Sequence, residues 1–76
     1  MIVFTAHALE RMKPRRISKD EALSCMEGPD SVSKLNDVYR AVKREDDKVL
    51  VVIYRKSSDE SIIITAYRSS KKSKYL

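Results

Sequence analysis

A chain of 76 residues with a net charge of +5 is one small basic domain, which buries only about 60% of its unfolded surface and has little core to spare. The lone Cys25 excludes an internal disulfide and a thiolate metal cluster, as in a reducing cytoplasm, and no apolar run approaches the roughly 20 residues of a membrane span. The charge is uneven: residues 1–19 carry +4, residues 20–67 carry −3 and residues 68–76 carry +4, so a fold that unites the ends would attract RNA, DNA, an anionic membrane or an acidic protein.

Met1-Ile2-Val3-Phe4 is too short for the apolar region of a signal peptide and reads as a brief strand at most. Thr5 caps a first helix of about residues 6–13, with Ala6, Leu9 and Met12 or Lys13 on one face and His7 and Arg11 on another, and Pro14 ends it. Ser18-Lys19-Asp20-Glu21 has the spacing of a capping box, with Ile17 placed to staple onto Ala22. This second helix runs to about Glu27, buries Ala22, Leu23 and Met26, and stops at Gly28-Pro29, with Cys25 as a small core residue.

From residue 31 the period becomes two, and Ser31–Asn36, Val38–Arg44, Val49–Arg55 and Ser61–Arg68 read as strands joined by short polar turns. Val49–Ile53 and Ile62–Ile64 are apolar on both faces and therefore central, whereas Ser31–Asn36 is an edge. The expected fold is α+β: two N-terminal helices packed on one face of a four-stranded antiparallel meander. Strict alternation along the last strand would put Ile62, Ile64 and Ala66 on the helix side and Ile63, Thr65 and Tyr67 on the outer side.

The candidate chemistry is cationic and phenolic. Arg11, Arg40, Arg55 and Arg68 can clamp phosphate bidentately without losing charge. In Tyr39-Arg40, Tyr54-Arg55 and Tyr67-Arg68, ring and cation point to opposite faces of a strand. Thr65 and Tyr67 offer two hydroxyls beside the basic tail, where Lys71 and Lys74 lie three apart in a final helical turn. His7, the only histidine, sits in a first helical turn one turn from Arg11, a position that favours a neutral, proton-accepting imidazole. One glycine excludes a glycine-rich phosphate loop, and the acids cluster in hairpin turns rather than around a metal.

Four segments in order, His7-Ala8-Leu9-Glu10-Arg11-Met12, Ile17-Ser18-Lys19-Asp20-Glu21-Ala22, Gly28-Pro29-Asp30 and Ile64-Thr65-Ala66-Tyr67-Arg68-Ser69-Ser70-Lys71-Lys72-Ser73-Lys74-Tyr75, carry a resemblance over nearly the whole chain. The sequence resembles small domains grouped with the RelE-like and BrnT-like toxins. The resemblance implies a RelE- or barnase-like fold and a cytoplasmic, metal-independent endoribonuclease of a type II toxin–antitoxin system that uses no cofactor, with RNA, the ribosome and a cognate antitoxin as partners. It carries over His7, Arg11, Thr65, Tyr67 and Lys74.

Cleavage through a 2′,3′-cyclic phosphate needs a base, cations and an acid. The expected roles are His7 as base, Arg11 and Arg40 as charge stabilisers, and Tyr67 or Lys74 as acid. Thr65, Arg68 and Lys71 would bind the RNA. The rival reading is a non-catalytic module that grips nucleic acid or an acidic protein with the same basic surface; a third is a homodimer formed through the Ser31–Asn36 edge.

Overall fold

A computed structural model describes all 76 residues. The elements in chain order are β1 (Ile2–Phe4), α1 (Ala6–Met12), α2 (Lys19–Glu27), β2 (Ser31–Leu35), β3 (Val38–Arg44), β4 (Val49–Ser57), β5 (Glu60–Ser69) and α3 (Lys72–Tyr75). They build one five-stranded sheet in the order β1-β5-β4-β3-β2. This corrects the expected fold: the sheet has five strands and is mixed, because β1 joins β5 in parallel, Ile2 opposite Ser61 and Phe4 opposite Ile63, while the other pairs are antiparallel. A third, four-residue helix closes the chain. The brief opening strand read from the sequence is present, but nothing in its three residues shows where it pairs, and parallel pairing of positions 59 apart, as Ile2 with Ser61, leaves no turn signal between them. No helix is long and apolar enough to cross a membrane.

Local chemistry sets the helix ends. The Thr5 hydroxyl accepts from the Ala8 amide at 3.0 Å and donates to the Ile63 carbonyl at 3.1 Å, so one residue caps α1 and pins it to β5. α1 buries Ala8 and Met12, whereas Leu9, read on the same face as Met12, is exposed. At α2 the capping box forms in full: the Glu21 amide donates to Ser18 Oγ at 3.1 Å and the Ser18 amide to Glu21 Oε1 at 2.9 Å. Ile17 and Ala22 are both buried in one apolar cluster, as a hydrophobic staple requires. Ser18→Ala is expected to cost about 1 kcal/mol of stability, read as a lower urea midpoint at unchanged slope.

The helices lie on one face of the sheet, over a core that includes Cys25, Leu50, Val52, Tyr54, Ile63 and Ala66. Burial pushes the Cys25 thiol up to about 11, which leaves it an inert core group. Opposite, Val42, Val49 and Val51 form a smaller cluster covered by Ile53, Tyr67 and Tyr75, so β4 is buried on both faces as its apolar run requires.

A register shift in β5 decides which side chains reach the outer face. Ile53 faces Thr65 but Tyr54 faces Ile63, leaving Ile64 as the extra residue of a bulge. The extra residue breaks the alternation, so Ile63 and Ala66 both point to the helices while Thr65 and Tyr67 remain outside. Ile63, expected on the outer face, is fully buried in the core, and Ile64 is instead part-exposed beside a cleft.

Candidate nucleic-acid interface

Across the outer face, Ser33, Arg40, Ile53 and Thr65 stand opposite one another on β2, β3, β4 and β5, and the next rung is Ser31, Val42, Val51 and Tyr67. β1 stops at Phe4 opposite Ile63, so the edge of β5 is open beyond it. Arg15, in the connection from α1 to α2, fills that opening: its Nη1 donates to Thr65 Oγ1 at 3.2 Å and to the Ala66 carbonyl at 3.0 Å. A residue of the basic N-terminal region thus meets the last strand across 50 positions of sequence.

Tyr75 of α3 folds over the same face. Its hydroxyl lies 3.1 Å from that of Tyr67, the rings meet edge to face with centroids 6.2 Å apart, and the Arg40 guanidinium sits 5.0 Å from the Tyr75 centroid. Lys74 approaches the same ring at 5.4 Å. Arg40 Nε is buried with no hydrogen-bond partner, although Arg40 as a whole stays part-exposed. The molecule's two ion pairs are both made by Arg68, so the charges of Arg15 and Arg40 are not neutralised by a carboxylate.

Burial, and then the bond to Tyr75, push the Tyr67 phenol up to about 12 against the opposing fields of Arg40 and Arg15. Tyr67 is therefore a protonated donor near neutral pH. With one phenol of the pair donating to the other, a proton remains to offer to a ligand oxygen.

The other expected site residues fall in different places. His7 is exposed at the start of α1 and lines a cleft of 310 Å³ with Thr5, Arg55, Ile62 and Ile64; Arg55 stands two residues along β4 from Ile53, roughly 7 Å along the strand. Arg11 is exposed in the last turn of α1, and Lys71 is exposed at the start of α3, where its amide donates to Ser69 Oγ at 3.1 Å.

Arg68 lies opposite Leu50 and points to the helix side, where its Nε donates to Glu45 Oε1 at 2.8 Å and its Nη2 to Glu21 Oε2. That geometry spends Arg68 on tying the start of α2 to the β3–β4 turn. The Glu21 carboxyl is held below its ordinary 4.5 chiefly by the Ser18 amide and then by Arg68. A lowered folded-state value stabilises the fold at pH above the ordinary value and loses that contribution as pH falls through the folded one. The urea midpoint should fall as the pH drops below the ordinary 4.5, and Glu21→Gln should flatten that fall.

Two contributors, Arg15 and Tyr75, were not singled out as site residues by the sequence. Arg15 is one of several cations around Pro14 in a segment without periodicity, and Tyr75 carried meaning only as part of the tail motif.

A model of a domain of unknown function, DUF4258, matches residues 4–68. This chain belongs to the DUF4258 family. No curated protein and no solved structure matches it. The DUF4258 match takes in His7, Arg11, Arg15, Arg40, Thr65, Tyr67 and Arg68, and ends before α3, so Lys71, Lys74 and Tyr75 stand outside the matched segment.

Proposed function

We propose that this DUF4258 chain is a cytoplasmic toxin-like endoribonuclease that cleaves RNA without a metal and is restrained by a cognate antitoxin. The observation that carries the reading is the convergence of Arg15, Arg40, Thr65 and the Tyr67–Tyr75 pair on one sheet face, with Arg40 Nε unpartnered. Guanidinium groups with a neutral phenol suit a phosphate that gains charge as it is attacked. The resemblance to RelE-like and BrnT-like toxins supports the same direction.

In this reading His7 takes the proton of the ribose 2′-hydroxyl, the 2′-oxygen bonds to phosphorus, and the bond from phosphorus to the 5′-oxygen breaks. Arg40, with Arg15 and the field of Arg11, holds the non-bridging oxygens, and Thr65 positions the phosphate. Tyr67 donates a hydrogen bond to the phosphorane, and Lys74 supplies the proton to the leaving 5′-oxygen. The products are a 2′,3′-cyclic phosphate and a free 5′-hydroxyl.

A specific observation favours a second reading. The Arg40–Tyr67 cluster contains neither an imidazole nor a carboxylate, and His7 belongs to the neighbouring cleft. On that basis the face is a non-catalytic grip for RNA.

Incubation with long single-stranded RNA in EDTA separates the two. Cyclic-phosphate ends from the wild type, lost in His7→Ala, support the nuclease. Cleavage that requires a divalent metal, or that survives His7→Ala, refutes the mechanism. Salt-sensitive RNA retention without cleavage, on free RNA and on translating ribosomes alike, establishes the grip.

A further inference from the structure

The end of the sheet away from α3 carries a second concentration of charge that the outer-face cluster does not use. At the β2–β3 hairpin, Lys34, Asn36, Asp37, Tyr39, Arg55 and Lys56 line a cleft of 360 Å³. Tyr39 stacks on Tyr54 across β3 and β4, with centroids 5.4 Å apart and planes 19° from parallel. Two ammonium groups approach that one ring, Lys56 Nζ at 4.7 Å and Lys34 Nζ at 5.8 Å from its centroid.

Like charges held over one aromatic ring repel one another, and an anion between them turns that repulsion into attraction. None of Lys34, Arg55 and Lys56 is in an ion pair, even though Asp37 lines the same cleft. The cleft therefore has three available cations and a polar amide from Asn36. Arg55 also lines the cleft that holds His7, so the two depressions share a wall.

We infer that the Lys34–Tyr39–Lys56 cleft, which opens on the helix side of the hairpin end because Tyr39 stacks on the core residue Tyr54, is a phosphate-binding site for a backbone phosphate of an RNA strand that leaves the outer face at Arg55 and turns over the end of the sheet. The inference deepens the RNA reading above and rests on it. The strand would pass from the Arg40–Tyr67 cluster, past His7 and Arg55, and over the hairpin end to the helix side, Arg55 lining both clefts. Lys34 and Lys56 then act as positioning cations remote from the reacting phosphate.

The test uses the full chain and a 2′-O-methyl single-stranded RNA, which lacks the attacking hydroxyl, alongside inorganic phosphate as a second probe. Backbone amide NMR follows Tyr39 and Lys56, and binding is measured over a range of salt for the wild type and the Lys34→Gln/Lys56→Gln variant. Both lysines are exposed, so the variant keeps the fold, as far-UV circular dichroism will verify.

The expected result is that RNA shifts both amides, that the variant binds roughly tenfold more weakly at low salt, and that its salt slope is smaller by about 1.4, two phosphate contacts being lost. Equal binding by wild type and variant, with shifts confined to the outer face, would overturn the inference and leave the RNA reading intact. Phosphate shifting these amides without any RNA binding would make free phosphate the occupant and overturn the RNA reading. Neither probe shifting them overturns the site itself.

Discussion

Arg40→Ala should lower cleavage of single-stranded RNA by about 10²–10³, the usual cost of removing one preorganised charge stabiliser from a reacting oxyanion. Arg40 stands mid-sheet on the rung that ends at Thr65, its guanidinium lies 5.0 Å from the Tyr75 centroid, and its Nε is buried and unpartnered. The side chain is thus fixed in aim while its charge is left for a ligand. Arg40→Lys should recover only part of the rate, since an ammonium cannot reproduce the planar fork.

Arg44→Ala, an exposed cation at the end of the same strand, serves as the control and should change cleavage less than about threefold. Single-turnover rates on the three variants provide the measurement. Equal, small losses for Arg40→Ala and Arg44→Ala would mean that the face binds RNA without reacting with it.

Ile63→Ala should destabilise the domain by about 3 kcal/mol, whereas Ile64→Ala should cost about 1 kcal/mol. Ile63 is fully buried against the helices and Ile64 is the part-exposed extra residue of the bulge. With 14 of 76 residues buried, stability is set by a few such side chains, and a loss of that size approaches the whole margin of a small domain. Urea unfolding of both variants checks the pair. The opposite order would mean that β5 alternates without interruption and that Ile64 faces the helices.

That pair of neighbours also marks the limit of what alternation reveals. A run of three isoleucines has no polar member to betray a change of phase, so the period placed Thr65 and Tyr67 correctly and Ile63 wrongly. The helix signals were legible because they are local: Thr5, Ser18, Glu21 and Ile17 act within a few residues of where they stand. Arg15 was not, since its partners Thr65 and Ala66 lie 50 or more positions away and no short-range pattern encodes them. Arg68 shows the reverse difficulty. Its place beside a basic tail suggested a ligand, but its face of the strand brought it to two carboxylates.

The parallel seam between β1 and β5 imposes an order on assembly. The Met1 ammonium donates to the Asp59 carbonyl and the Ser61 amide to the Met1 carbonyl, so this segment closes against residues that follow it by 58 positions or more. Until β5 has left the ribosome, β1 has no partner, and α1 has neither its seat on that strand nor the Ile63 carbonyl that anchors Thr5. Closing so long a loop opposes early docking, so the hairpins of β2 to β5 form first and the N-terminal segment seals the sheet last.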